Sequence, residues 1–167
     1  VISRWLKAGI NRFSVGIQSL DERFLPILDR VHTLHESFEL LDYFKGVELD
    51  YSVDFMLGLP NSESLQRNVL EELDKILFYK PSHISLYILT TKESYIHQKS
   101  LPKDDWIAEE YLKVSNFLIE RVFNHYEVSN FSLPGKESKH NLRYWSLDSV
   151  AALGPSGTGF LKSNKGG

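Results

Sequence analysis

Alternation of short apolar segments with amphipathic helical segments is the feature that most limits how this chain can fold. The apolar segments at residues 11–18, 49–56 and 84–89 are predicted strands, and helical patterns lie between them. Strands and helices that alternate through short links are typical of a parallel sheet covered by its crossover helices. The sequence therefore predicts an α/β fold, and more specifically one part of a (β/α) barrel.

A polar residue stands where each predicted strand is expected to end. Gln18 ends the first strand, Asp54 the second, and Thr90 follows the third. In a barrel of alternating strands and helices, the carboxyl ends of the strands face one shared mouth, and active sites form there. We therefore interpret these three side chains as candidates for one ligand-binding site.

The predicted helices have recognisable ends. Thr33 and Glu36 have the spacing of a capping box, which predicts the start of a helix that ends at Gly46. A further helix is predicted over residues 64–80, because an apolar face recurs with helical spacing and Pro81 prevents continuation.

The second half of the chain has a different pattern. Residues 92–103 form a polar connector without a period, and a long amphipathic helix is predicted from Asp104 onward. A strand is predicted at residues 126–131, and an aromatic cluster follows at 140–145. We expect two parts, residues 1–91 with the barrel strands and residues 92–167 as a segment of helix and strand that covers them.

Composition excludes several classes of protein. The chain has 167 residues, a length that suits one domain, and its net charge of -3 gives no electrostatic reason to expect a nucleic-acid partner. It contains no cysteine, so it forms no disulfide and supplies no thiolate ligand to a metal. No apolar run approaches the ~20 residues of a membrane-spanning helix. Cytoplasmic residence is the default expectation.

Candidate ligand-binding side chains each have a structural alternative. The Gln18 amide suits a carboxylate, a ribose or an adenine edge, or it holds its own loop in place. Asp54 either accepts hydrogen bonds from ligand hydroxyls or caps the next helix, since an acid beside so much apolar sequence needs partners when buried. Arg30 either clamps a carboxylate or pairs with Asp29 or Glu36.

The segment HNLRYW at residues 140–145 has the densest chemistry in the second half. A neutral imidazole from His140 can ligate iron, and the flanking aromatic side chains can cover a flat macrocycle. Alternatively, the same cluster seals the open edge of the barrel, with His140 hydrogen-bonded to a carbonyl group.

Six motifs in one order resemble those of the oxygen-independent coproporphyrinogen oxidase family of radical S-adenosylmethionine (SAM) proteins. Within that family, Ser19 directly after Gln18, His32 and the HNLRYW segment resemble the heme chaperone branch. The motifs are GINRFSVGIQS (9–19), LDRVHT (28–33), DFMLGLP (54–60), HISLYILT (83–90), YEVSNF (126–131) and HNLRYW (140–145).

The resemblance implies the C-terminal half of a three-quarter (β/α)6 barrel, with SAM, a [4Fe-4S] cluster and heme as cofactors. By motif position, Gln18, Arg30, Asp54 and Thr90 correspond to SAM contacts, and His140 to a heme contact. The implied partners are heme and hemoprotein clients, with peripheral membrane association through such clients.

One departure from the family is decisive for the chemistry expected of this chain. The cluster-binding CxxxCxxC stretch, which precedes all six motifs in the family, is absent. We therefore expect a piece of a longer protein that is inactive in radical chemistry by itself.

Three functions follow from the resemblance as hypotheses. The first is a fragment of a heme chaperone that binds heme and transfers it to hemoproteins. The second is an enzyme that oxidatively decarboxylates coproporphyrinogen III, where the cofactors perform the chemistry. The third is a non-catalytic SAM-binding or structural module whose aromatic segment binds a protein.

Overall fold

The computed structural model describes residues 1–161. One sheet contains all five of the strands in this range, in the order β1-β2-β3-β5-β4. The strands are β1 (Phe13–Gln18), β2 (Tyr51–Leu57), β3 (His83–Ile88), β4 (Asn124–His125) and β5 (Asn130–Ser132). The helices are α1 (Ile2–Lys7), α2 (Leu34–Gly46), α3 (Val69–Phe78), α4 (Asp104–Ile119) and α5 (Lys139–Trp145), with 3-10 turns at Pro26–Leu28 and Gln98–Ser100.

The sheet is mixed and open. Strands β1, β2 and β3 are parallel neighbours, which confirms the α/β prediction. Strand β5 runs antiparallel to both β3 and β4. The sheet is continuous across the expected boundary between residues 91 and 92, and the division into two parts stays a prediction.

One face of the sheet is apolar and carries helices α2, α3 and α4. In β2, the side chains of Tyr51, Val53, Phe55 and Leu57 are buried on this face. The core joins alternate residues of the strands to helix residues that include Leu41 and Phe44 of α2, Leu73 and Ile76 of α3, and Val114 and Leu118 of α4. At ~25 cal/mol per Å² of buried apolar surface, this layer is the main source of stability.

The opposite face is polar, because side chains alternate between the two faces of a strand. The parallel register places Ser14 beside Ser52, and Asp54 between Gly16 and Ser85. Parallel strands buried on both faces normally read as continuous apolar runs. The polar residues at every second position therefore mark a face that is not packed as core.

The capping box predicted for α2 is confirmed. The Glu36 carboxylate accepts a hydrogen bond from the Thr33 backbone N–H at 2.8 Å, and the Thr33 hydroxyl accepts one from the Glu36 N–H at 3.2 Å. The predicted end of this helix at Gly46 is also confirmed.

Three local predictions were wrong in position. Helix α3 begins at Val69, after an Asn68 cap, and residues 61–66 form turns instead of its first turn. The strand predicted at residues 126–131 is two short strands, β4 and β5. The aromatic cluster at 140–145, for which no secondary structure was predicted, lies on a helix. Asp54 lies in the middle of β2 and does not end it, because the apolar run continues to Leu57.

Within residues 1–161, every helix is too short or too polar to cross a membrane.

Candidate functional site

The polar face of the sheet brings Asp54 into contact with hydroxyl groups from both neighbouring strands. The Ser14 hydroxyl of β1 donates a hydrogen bond to Asp54 Oδ1 at 2.9 Å. Burial raises the pKa of Asp54 above its usual value, and the hydroxyls of Ser14 and Ser85 partly oppose that rise. Asp54 is therefore a half-buried acceptor with few partners of its own.

Gln18 lies on the same face, and its side chain folds over Gly16. Its backbone adopts a left-handed conformation, with φ of 65°, at the end of β1. The side chain folds back so that Nε2 lies 2.7 Å from where a Cβ of Gly16 would stand. Gly16 is the register partner of Asp54, so the Gln18 amide and the Asp54 carboxylate occupy adjacent positions.

The Gln18 amide is incompletely satisfied. Its side chain is buried, and its Oε1 atom has no hydrogen-bond partner in the described part of the chain. On the same face of β5, Asn130 Oδ1 and Ser132 Oγ are buried and unpartnered too. Because buried polar atoms are almost always hydrogen-bonded, this face has the capacity to bind a polar ligand.

His83 connects the polar face to the second half of the chain. Its Nδ1 atom lies 2.7 Å from the Ser52 hydroxyl, and its Nε2 atom lies 2.7 Å from the Tyr126 hydroxyl. The Ser52 hydroxyl is in turn 3.3 Å from that of Ser85. A hydrogen-bonded chain therefore runs from Tyr126 through His83 and Ser52 to Ser85, the neighbour of Asp54.

Burial keeps the imidazole of His83 neutral, and both of its ring nitrogens are hydrogen-bonded. Burial, and to a smaller extent the Arg12 charge, lower the pKa of His83 to about 4, while Asp50 opposes this change. The Tyr126 oxygen also accepts the Ser138 N–H at 3.2 Å. In a neutral imidazole one ring nitrogen donates and the other accepts, so His83 links the Ser52 and Tyr126 hydroxyls in one chain.

A cavity of about 320 Å³ lies beside this chain of hydrogen bonds, at the amino ends of the three parallel strands. Its volume is in the range of small-molecule sites. Most of its wall is polar and comes from Arg12, Ser14, Ser52, His83, Ser85, Ser138 and Asn141. We refer to it as the Arg12 cavity.

A buried ion pair holds the loop that follows β1. Arg67 Nε lies 2.6 Å from Glu72 Oε1, and Nη2 lies 3.0 Å from Oε2. Glu72 also accepts hydrogen bonds from the Ser19 hydroxyl and the Leu20 N–H, both at 2.6 Å. The residues directly after Gln18 are therefore tied to α3.

The contacts described for residues 1–161 do not join Arg30 or Thr90 to the Gln18–Asp54 pair. Arg30 is exposed in the loop after the first 3-10 turn, and within residues 1–161 its guanidinium has no ion-pair partner. Glu36 is used by the α2 capping box instead. The Thr90 hydroxyl donates to the Ile88 carbonyl at 3.3 Å, and Thr90 lines a separate, mainly apolar groove beside α4.

His140 is exposed on α5. Its ring meets the Tyr144 ring edge to face, with 5.0 Å between the centroids. The described contacts include no hydrogen bond from His140 to a carbonyl group, the structural alternative considered from the sequence. The next residue, Asn141, lines the Arg12 cavity.

Sequence reasoning missed His83, Ser52 and Arg12 as site residues. His83 has no metal-ligand spacing to other histidines, and within residues 1–161 no group of three acidic, His or Cys side chains is placed to hold a metal ion. The alternation of polar and apolar residues along the strands was the sequence signal that could have indicated these site residues. Ser14, Ser52, Asp54, His83 and Ser85 occupy every second position of strands whose other positions are apolar.

Comparison with known proteins agrees with this architecture. Residues 1–72 match the family model of the radical SAM superfamily. The chain is 31% identical over 163 residues to the heme chaperone HemW of Buchnera aphidicola, covering 96% of this chain and 43% of that protein. It is 36% identical to the mouse protein named radical S-adenosyl methionine domain-containing protein 1, mitochondrial, covering 96% of this chain and 38% of that protein.

The similarity extends to a solved structure. Coproporphyrinogen III oxidase (HemN) from Escherichia coli, described as a radical SAM enzyme, superposes with a TM-score of 0.73 at 16% identity. The superposition covers 96% of this chain and 41% of the oxidase. The chain spans about two fifths of the length of the curated relatives it matches. The motifs, the matched relatives and the shared fold together identify the chain as a member of the radical SAM superfamily, with a HemN-like fold.

Proposed function

We propose that this chain is the SAM-contacting part of a heme chaperone, a protein that binds heme and passes it to hemoproteins. The observation that carries the SAM half of the proposal is the adjacency of Gln18 and Asp54 on the polar face of the sheet. The heme half rests on the relatives named heme chaperones, which match most of this chain at about 30% identity.

The residues present fit SAM. The unpartnered Gln18 Oε1 accepts a hydrogen bond from a ligand donor such as an ammonium group. Asp54 accepts from ribose hydroxyls, and the free guanidinium of Arg30 pairs with a carboxylate. Thr90 is a fourth contact only if the ligand extends to the edge of β3. When bound, SAM supplies an adenosyl group on a sulfonium centre.

The residues present do not fit the [4Fe-4S] cluster that the family implies. Such clusters are held by cysteine thiolates, and this chain has none. We therefore assign no radical step to the chain. For the same reason, oxidative decarboxylation of coproporphyrinogen III is the weaker hypothesis for these 167 residues, and the structural likeness to the oxidase concerns the fold alone.

His140 would contribute to holding heme, with its imidazole available to the iron. Its exposed imidazole stands on a helix beside Tyr144, and Trp145 is exposed on the same helix. A neutral imidazole ligates heme iron, and aromatic faces pack against a porphyrin.

We also propose how the chain divides into two parts and where in the cell it resides. Residues 1–91 form part of a radical SAM barrel, and residues 92–167 form a covering segment, of which 162–167 lie outside the described residues. Two observations support this: Tyr126 lies 2.7 Å from His83 Nε2, and Ser138 and Asn141 line the Arg12 cavity. Cytoplasmic residence is proposed for this chain, whereas the mouse, Bos taurus and zebrafish relatives are named as mitochondrial proteins.

Hemin titration followed by the Soret band tests the heme assignment. Saturable binding is expected for the wild type, with a weaker and shifted Soret band for His140→Ala. His35→Ala is the matched control, because His35 is exposed on α2, where it pairs with Glu39. Equal binding by His140→Ala contradicts the ligand assignment. Absence of hemin binding by the wild type contradicts the chaperone function and leaves the non-catalytic SAM-binding module.

A further inference from the structure

The Arg12 cavity contains one cationic group that nothing in the fold neutralises directly. The Arg12 side chain is half-buried and lines the cavity. The hydrogen bonds and ion pairs described for residues 1–161 include none to its guanidinium. Its charge nevertheless acts on the pKa values of His83, Tyr126 and Asp50, which shows that it lies near all three.

The nearby acid is already engaged elsewhere. Asp50 pairs with Lys136, with 3.0 Å between Nζ and Oδ2, and its other oxygen accepts from the Ser82 hydroxyl. The neighbouring His83 is held neutral by burial, so it adds no charge to the cavity. Arg12 is therefore the principal charge available to a ligand in this space.

The remaining wall suits a small anionic group. Ser138 contributes a hydroxyl and Asn141 contributes an amide next to His140 on α5, whereas the Ser14 hydroxyl already donates its proton to Asp54. A guanidinium surrounded by neutral polar groups is the usual receptor for a carboxylate, which it binds through two parallel hydrogen bonds.

We propose that the Arg12 cavity binds a carboxylate group and that, in the heme-binding protein, this group is a propionate arm of the macrocycle. The assignment of this carboxylate to a heme propionate rests on the proposed function. Ser138 and Asn141 line the cavity, and His140 lies between them in sequence at the start of α5. In the proposal, one heme molecule therefore contacts His140 through its iron and the cavity through a propionate. The carboxylate contact then orients the macrocycle on α5.

Comparison of hemin with its dimethyl ester tests the proposal, because the ester keeps the iron and removes both negative charges. Loss of a charged hydrogen bond costs about ten-fold or more in affinity. We expect Arg12→Gln to weaken hemin binding about ten-fold and to leave ester binding unchanged. Arg4→Gln, which removes the same charge from an exposed position in α1, is expected to bind both ligands like the wild type.

Each outcome decides between alternatives. Equal affinity of the wild type for hemin and its ester, or hemin binding that is unaffected in Arg12→Gln, overturns the proposal. Weakened SAM binding in Arg12→Gln with unchanged hemin binding overturns the assignment to a propionate and identifies the carboxylate of SAM instead.

If the wild type binds no hemin, the proposed function fails and a smaller probe decides on the cavity. Sodium propionate is then titrated against the chain by amide NMR, with sodium chloride as the ionic-strength control. Saturable shifts at Ser138 and Asn141 that disappear in Arg12→Gln support the carboxylate site. Shifts that are absent, or equal in both proteins, overturn it.

Discussion

The carboxamide of Gln18 folds back over Gly16, with its Nε2 atom 2.7 Å from where a Cβ of that glycine would stand. The missing side chain of Gly16 leaves space for the Gln18 amide. The left-handed backbone is at residue 18 and not at residue 16. Gly16 is also the register partner of Asp54, so this contact places the amide beside the carboxylate.

Substitution of Gly16 by alanine should displace the Gln18 amide and weaken SAM binding. The new methyl group meets the flexible end of a side chain, so we expect a small change in the free energy of unfolding but about a ten-fold loss of SAM affinity by calorimetry. Gly46→Ala is the control, since a Cβ there meets nothing within 4 Å. Full SAM affinity in Gly16→Ala would mean that Gln18 is not a contact.

His83 should make stability depend on pH between about 6.5 and 4. Its pKa in the folded protein is about 4, below its ordinary value of 6.5, so the unfolded chain binds more protons in this interval. Stability from this group is present above pH 6.5 and is lost as the pH falls toward 4, by an amount on the order of 2 kcal/mol.

Urea denaturation of the wild type and His83→Asn at pH 7 and pH 4.5 isolates that contribution. The wild type should lose about 2 kcal/mol more than the variant on acidification, although the variant starts lower because it loses hydrogen bonds to Ser52 and Tyr126. His35→Asn, at an exposed position, should follow the wild type. Parallel pH profiles for wild type and His83→Asn would show that His83 is not held neutral.

Removal of one partner of the Arg67–Glu72 ion pair should lower the free energy of unfolding strongly. Arg67→Met leaves the Glu72 carboxylate buried without its counter-ion, which typically costs about 3–5 kcal/mol in unfolding free energy. Adding Glu72→Gln removes the stranded charge and should recover part of that loss. Arg121→Met, which breaks an exposed pair with Asp74, should cost less than about 1 kcal/mol. A double variant less stable than Arg67→Met would contradict this explanation.

Glu110 on α4 should destabilise the fold at alkaline pH. Its side chain is buried, Oε1 has no partner in the described residues, and burial raises its pKa to about 7. The folded protein therefore binds more protons than the unfolded chain between pH 4.5 and 7, and stability falls as the pH rises through that interval.

Glu110→Gln should consequently be more stable than the wild type at pH 8, on the order of 2 kcal/mol, and nearly equal to it at pH 4.5. Thermal or urea unfolding at the two pH values measures the difference. Glu109→Gln changes the neighbouring, exposed carboxylate and should have little effect at either pH. A variant less stable than the wild type at pH 8 would show that the carboxylate is needed in its charged form.

Local sequence rules predicted the elements that depend on neighbouring residues. The capping box of Thr33 and Glu36 is confirmed because both of its hydrogen bonds form within four residues. The parallel order of the first three strands is confirmed because periodicity and short links constrain it strongly. The start of α3 was wrong because Asn68 caps the helix and the apolar Leu65 before it suggested an earlier start.

The site was predicted less completely because it depends on contacts between distant residues. Gln18 and Asp54 lie on one face, as a shared site requires, yet Asp54 lies within its strand. His83 meets Tyr126 across 43 positions of sequence, a pairing that no local pattern indicates. The SAM role of Gln18, Arg30, Asp54 and Thr90, and the heme role of His140, stay predictions.

Calorimetric titration of SAM into wild type and Asp54→Asn tests the central claim most directly. The account predicts saturable binding by the wild type, at least about ten-fold weaker binding by Asp54→Asn, and wild-type binding by Asp42→Asn, whose carboxylate lies on α2. Equal affinities of Asp54→Asn and the wild type for SAM would contradict the claim that the polar face of this sheet is the ligand-binding site.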